Sequence, residues 1–228
     1  MRPSYLPCLL LLAPLLAGGA PANPIKQTWL PKSAEHWQGT VKDGVTLSLR
    51  DGSNRHVPGK VMHAVLSVKS KLEAVSGQRA ELALVDTDQP NAYATVQAGR
   101  PIIALSLSYL ERFGSDQDAL AATIGHELAH LHLGHSAAAH HAAGALLHGV
   151  TGKVGAAESS PTARDAERDA DRLGLQWTSV AGYDPCGQVR LFRAMSHDSP
   201  TLATHPGFAE RAEAANEAAK KTSGRGCR

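Results

Sequence analysis

The sequence predicts an α+β fold, mostly helical, with one small sheet. Three observations predict it. Long stretches read as helices at 59–76, 115–135, 163–181, 185–196 and 208–221. Between the first two lie short apolar or alternating runs at 81–86, 93–97 and 102–105, set off by turn residues. The second long helix carries Gly125-His126-Glu127-Leu128-Ala129-His130, a His-Glu-x-x-His pattern.

Taken in order, Met1–Ala22 reads as a signal peptide. Arg2 is the positive start, Leu9–Leu16 a short apolar run, and Ala20-Pro21-Ala22 a small-x-small cleavage site before Asn23. The run is too short to span a bilayer, and an uncleaved anchor is the alternative. Cys8 does not end the run after small residues, which argues against a lipid-anchored cysteine. Residues 23–228 then form a single domain, within the usual size range. The mature chain keeps Cys186 and Cys227; an even count in an exported protein reads as one disulfide. Charges nearly balance at +2 and no basic run suggests nucleic acid.

Residues 23–56 are weakly patterned. Trp29 and Trp37 are read as cover for the core edge, and Val45–Leu49 alternates before an Asp51-Gly52 turn. Val61, Val65, Val68, Leu72 and Val75 make the first helix amphipathic. Strands at 81–86, 93–97 and 102–105 follow, with turns at Pro90-Asn91 and Gly99-Arg100-Pro101, then a short helix ending near Gly114. Ser115 and Asp118 resemble a capping box for the next helix, which is expected to run to about His135. Residues 136–162, rich in Ala, Gly and His, read as part helix, part mobile insert; His140, His141 and His148 are there as solvated residues or metal binders.

On a helix, residues four apart lie about 40° from each other, so His126 and His130 can grip one metal ion together. Glu127, about 100° round, can reach a water on that ion instead. On the wheel Ala119, Ala122, Thr123 and Ala129 flank the histidines, while Leu120, Ile124, Leu128 and Leu131 form a stripe to be buried. The leucine stripe is expected inside and the small face toward the ion. His132 and His135 point elsewhere if the helix continues, His135 about 180° away.

A third ligand is needed, with one position open for water. Asp165, Glu167, Asp169 and Asp171 offer carboxylates on the next helix. Glu167 and Asp171 share a small face with Ala163, Ala170 and Gly174; Asp165 and Asp169 fall on a solvated side with Arg172 and Gln176. Glu167 is therefore the better ligand. Asp171, one turn on, can hydrogen-bond a ligand imidazole.

Five separated motifs now resemble a known family: Asn91-Ala-Tyr-Ala94, His126-Glu-Leu-Ala-His130, Glu167-Arg-Asp-Ala-Asp171 with Arg172-Leu-Gly174, Ala181-Gly-Tyr-Asp-Pro185, and Thr204-His-Pro206 with Arg211. In that order they look like the gluzincin peptidases that include HtpX, BepA and the CaaX prenyl endopeptidases, over about residues 60–212. The resemblance implies a gluzincin-type metallopeptidase domain whose small sheet turns an edge strand to the active-site cleft. By position, His126, His130 and Glu167 resemble ligands of one Zn²⁺ per chain, and Glu127 the general base. Asp171 resembles the partner of a ligand histidine, His205 a catalytic histidine near the metal, and Arg211 an arginine beside it. Asn91, Ala92, Tyr93 and Ala94 resemble the start of the substrate-binding edge. This chain lacks the transmembrane helices of HtpX and the repeat domain of BepA, so the comparison is with short periplasmic members. The implied activity is zinc endopeptidase action on exported, misfolded or unassembled envelope proteins, in a periplasmic or secreted location. The implied partner is a polypeptide, with no nucleic acid and no membrane span; association with envelope assemblies stays open. The alternative is a zinc-bearing chaperone or assembly factor with little proteolysis.

Overall fold

The computed structural model describes residues 27–32, 41–135, 161–198 and 207–227. The expected signal peptide, Trp37, His140, His141 and His148 of the 136–162 stretch, and His205 lie outside them. Among the described residues the architecture is α+β and mainly helical. Chain order is β1 (Gln27–Lys32), β2 (Val45–Ser48), β3 (Asn54–Val57), α1 (Gly59–Ser76), β4 (Glu81–Asp86), β5 (Ala92–Gln97), β6 (Arg100–Ser106), α2 (Leu107–Phe113), α3 (Gln117–His132), α4 (Pro161–Val180), α5 (Cys186–Asp198) and α6 (Phe208–Ser223).

The sheet runs β1-β4-β6-β5, with β2 and β3 as a separate hairpin. β4 pairs with β6 in parallel, while β1 on β4 and β5 on β6 are antiparallel. Alternate residues then face opposite ways. Leu82, Leu84, Ile103 and Leu105 join the main core with the helices; Ala83, Val85, Ile102 and Ala104 form a second apolar layer with Tyr93. The β5–β6 turn puts both Ala98 and Gly99 at positive φ, 48° and 76°. That is the geometry of a tight hairpin, and glycine supplies one half of it without strain. β1 has no counterpart in the sequence reading. Pro31 breaks its alternation, and the register with β4 slips between Trp29 and Lys32, as suits a strand at a sheet edge.

In α1 the expected stripe is buried at Val61, Val65, Val68 and Leu72, and Gly77 closes the helix at φ 70°. The start of α3 differs from the capping-box reading. Asp116, not Ser115, is the cap; its Oδ1 accepts from the N–H groups of Asp118 at 3.1 Å and Ala119 at 3.0 Å. Arg190 of α5 donates to both carboxylate oxygens of Asp116, so this cap also docks a neighbouring helix. Leu120, Ile124 and Leu128 are fully buried, as their spacing predicts. The small face is buried as well: Ala119, Ala122, Thr123 and Ala129 are covered, and Tyr109 donates its hydroxyl to Thr123 Oγ1 at 2.7 Å.

Small residues on α3 serve close packing more than open space. Gly125 meets Gly174 of α4 backbone to backbone. A Cβ on Gly174 would stand 2.7 Å from His126 N and 2.8 Å from Gly125 C. Thr178 Oγ1 clamps the crossing, with Ala121 O at 3.2 Å and Gly174 O at 2.8 Å. Cys186 and Cys227 form the expected disulfide, which joins the start of α5 to the segment just past α6 across 41 residues.

Gly174→Ala should lower stability by about 1–3 kcal/mol, the usual range for overpacking. Urea unfolding would show it, and an unchanged midpoint would mean the helices can separate freely. Protein beginning at Asn23, denatured without reductant, should show no free thiol. Reducing it should cost roughly 4 kcal/mol on the chain-entropy scale for a loop of this length; an unfolding curve unmoved by reductant would contradict that.

Candidate metal centre

α3 presents His126 and His130 one turn apart, and the close α3–α4 crossing brings Glu167 opposite them. His126 Nε2 and His130 Nε2 are 3.0 Å apart. Glu167 Oε2 is 3.4 Å from His126 Nε2, and Oε1 is 3.2 Å from His130 Nε2. The three side chains offer ligand atoms within 4.8 Å of one another. For bonds of about 2.1 Å at tetrahedral angles, donors stand about 3.4 Å apart. The group therefore fits one small divalent cation. Its chemistry fits too. With each ring protonated at Nδ1, both Nε2 atoms are lone-pair donors facing a carboxylate, so a cation is what satisfies all three at once.

The reverse side of His126 is held by charge. Its Nδ1 is 2.9 Å from Asp171 Oδ1. Arg211 of α6 clamps the same carboxylate, Nε to Oδ2 at 2.8 Å and Nη2 to Oδ1 at 2.7 Å. Gln188 Nε2 adds a bond to Oδ1 at 3.2 Å. The guanidinium lies over the Phe192 ring at 4.3 Å, with Phe208 at 5.8 Å, and its Nη1 is 3.5 Å from Glu167 Oε2. Arg211 is itself buried, 7 % exposed. Burial alone would raise the Asp171 carboxyl, but Arg211 and His126 outweigh it and hold it at about 2. Burial alone would lower His126, but Asp171 and Glu167 outweigh it and push the ring up to about 10. The carboxylates thus draw a positive charge to this ring, either a proton or a metal ion.

Glu127 is buried at 6 % exposed, one residue along from His126. Asp165 and Asp169 are exposed and pair with Arg168 and Arg172, as the wheel places them. His132 stands edge-on to Trp177 at 5.4 Å, away from the cluster. His135 departs from expectation. α3 ends at His132, not His135, and the turn after it brings His135 Nδ1 to 3.3 Å from His130 Nδ1. Burial and the neighbouring His130 lower its pKa. An offset of 180° holds only for an unbroken helix, and Gly134, at φ 72°, ends this one. Phe192, Phe208 and Gln188, which frame Arg211 and Asp171, carried no motif.

β5 packs alongside α3 and is the end strand of its sheet among the described residues. Asn91 exchanges backbone and side-chain bonds with Ser106: its carbonyl accepts from Ser106 N at 2.9 Å, and its N–H donates to Ser106 Oγ at 2.9 Å. In an antiparallel ladder this fixes the alternation. Tyr93 turns its backbone groups to Ala104, and its side chain packs on the sheet's second layer. Ala92, Ala94 and Val96 turn theirs to the side of β5 that no described strand covers.

A family model described as Peptidase family M48 matches residues 59–219, from the start of α1 into α6 and well over half of the chain. No match is found among curated proteins.

Glu167→Ala should abolish retention of metal through gel filtration, while Asp165→Ala and Asp169→Ala retain it; equal loss in all three would mean that the α4 carboxylates have been misassigned. Asp171→Asn should weaken metal binding about 10–100-fold. The depressed Asp171 pKa also adds stability, about 2 kcal/mol, present above the ordinary carboxylate value and lost as pH falls toward 2. Acid unfolding of the Asn variant should lack that component.

Proposed function

Because the chain belongs to peptidase family M48, we propose that it is a zinc-dependent endopeptidase. The observation that carries this reading is the convergence of His126, His130 and Glu167, with the buried carboxylate of Glu127 next to His126. The chemistry that bound zinc supplies in such a site is Lewis-acid polarisation of the scissile carbonyl and acidification of water toward a pKa of ~7. The chain's residues do the rest. His126 and His130 offer neutral Nε2 atoms, and Glu167 a carboxylate. Asp171 accepts the Nδ1–H of His126 and keeps its tautomer, while Arg211 keeps Asp171 ionised. Glu127 takes a proton from the attacking water and passes it to the leaving amine. His205 is the proposed donor to the developing oxyanion, a type of contact worth about 3–4 kcal/mol.

The substrate is an extended polypeptide. It adds to the edge of β5 that no described strand covers, where Ala92, Ala94 and Val96 present main-chain donors and acceptors beside α3. Asn91 and Tyr93 hold that strand against β6. Main-chain pairing with alanines on the edge selects extended shape more than sequence. We assign residues 1–22 to an export signal and 23–228 to one peptidase domain, acting on misfolded or unassembled proteins in the periplasm or outside the cell. No described helix is long and apolar enough to cross a membrane.

Glu127→Gln should keep stoichiometric zinc and lose casein cleavage by several orders of magnitude, because only the base is removed. Wild-type cleavage should stop with a chelator and return with zinc. Near-normal cleavage by the Gln variant would sink the mechanism; zinc binding and capture of unfolded protein without any cleavage by the wild type would support the chaperone reading instead.

A further inference from the structure

The two ligand histidines are held from behind by different groups. His130 Nε2 faces His126 and Glu167, so Nδ1 is the atom on its far side. An imidazole that binds metal through Nε2 carries its proton on Nδ1 and needs an acceptor there. For His126 the acceptor is the Asp171 carboxylate. For His130 the chain supplies it by stopping α3. The N–H of Leu133 donates to Ala129 O at 2.9 Å, Gly134 adopts φ 72°, and the chain leaves the helical path there. His135 then stands with its ring centre 5.4 Å from that of His130, the planes crossing at 67° and the Nδ1 atoms 3.3 Å apart.

We propose that His135 is a positioning residue for the metal: its Nδ1 accepts the Nδ1–H of His130 and so fixes the tautomer and ring angle that aim Nε2 at the ion. The proposal rests on the reading of His126, His130 and Glu167 as the metal site. It makes the pair of histidines unequal. Asp171 brings a formal negative charge to one ring, held by Arg211; His135 brings only a neutral lone pair to the other. His135 should therefore matter less than Asp171 for affinity, and it should act through its acceptor atom, not its bulk.

The test uses zinc affinity, read by competition with a chromophoric chelator, on the chain from Asn23. His135→Ala and His135→Phe should weaken binding about tenfold, within the range for removing a hydrogen-bond partner of a metal-bound histidine. His135→Gln, whose amide oxygen can accept the same proton, should stay within about threefold of wild type. Rescue by Phe without rescue by Gln would overturn the proposal, because packing would then be the whole role. Equal affinity in all four proteins would overturn it too. A nitrogen-15 histidine spectrum of zinc-loaded wild type gives a readout that needs no variant: His130 should be protonated at Nδ1 and ligated at Nε2, and ligation through Nδ1 would refute the assignment. Failure of the underlying reading looks different. Wild type that takes up no zinc, or His130→Ala with undiminished affinity, would remove the site itself and the proposal with it.

Discussion

The centre of this molecule depends on how closely α3 and α4 approach. Two glycines, Gly125 and Gly174, let the backbones touch one residue from His126. At a wider spacing Glu167 would not come within 3.4 Å of either imidazole. Thr178 bonds to carbonyls on both helices and so locks the crossing from the side. Packing at this point is therefore also ligand geometry. The helix pair cannot relax without changing the donor spacing.

The second constraint is electrostatic. His126, Glu127, Glu167 and Arg211 are all nearly inaccessible to water, and Asp171 is largely buried. Isolated charges at such depth are costly, and losing one partner of a buried pair typically costs 3–5 kcal/mol. Here they form a chain: Arg211 on Asp171, Asp171 on His126, and His126 with Glu167 at the shared ion position. The aromatic faces of Phe192 and Phe208 cover the guanidinium and replace water with a surface that still favours a cation. α6 contributes one arginine to the centre, yet that arginine sets the protonation of the group behind the first ligand.

Much of this was legible in the sequence where period and chemistry agreed. The wheel separated Glu167 and Asp171 from Asp165 and Asp169 because burial follows helix face. The spacing of His126 and His130 fixed their common direction, and the cysteine count gave the bond between Cys186 and Cys227. What was missed has physical reasons. β1 contains a proline and an irregular register, so it lacks a strand's alternation. The cap of α3 is Asp116 instead of Ser115, and its partner Arg190 lies far along the chain, where local spacing gives no sign of it. The small face was expected to turn toward the ion, but glycine and alanine also permit close helix contact, and here they do. His135 escapes the helical spacing because Gly134, a residue well suited to ending a helix, stands between it and His130.

The disulfide between Cys186 and Cys227 gains a further meaning from where Arg211 sits. α6 enters beside the candidate metal cluster, and the chain just past its C-cap, Gly224, is bonded through Cys227 to the start of α5. Without that bridge α6 would be held beside α5 by packing and side-chain bonds alone. With it, a detached α6 remains part of a closed ring and rebinds at the high effective concentration of a tethered segment. The bridge thus acts on recapture. Each transient opening that exposes Asp171 and His126 would end sooner, so an ion held there would be retained kinetically by a covalent bond that touches none of its ligands.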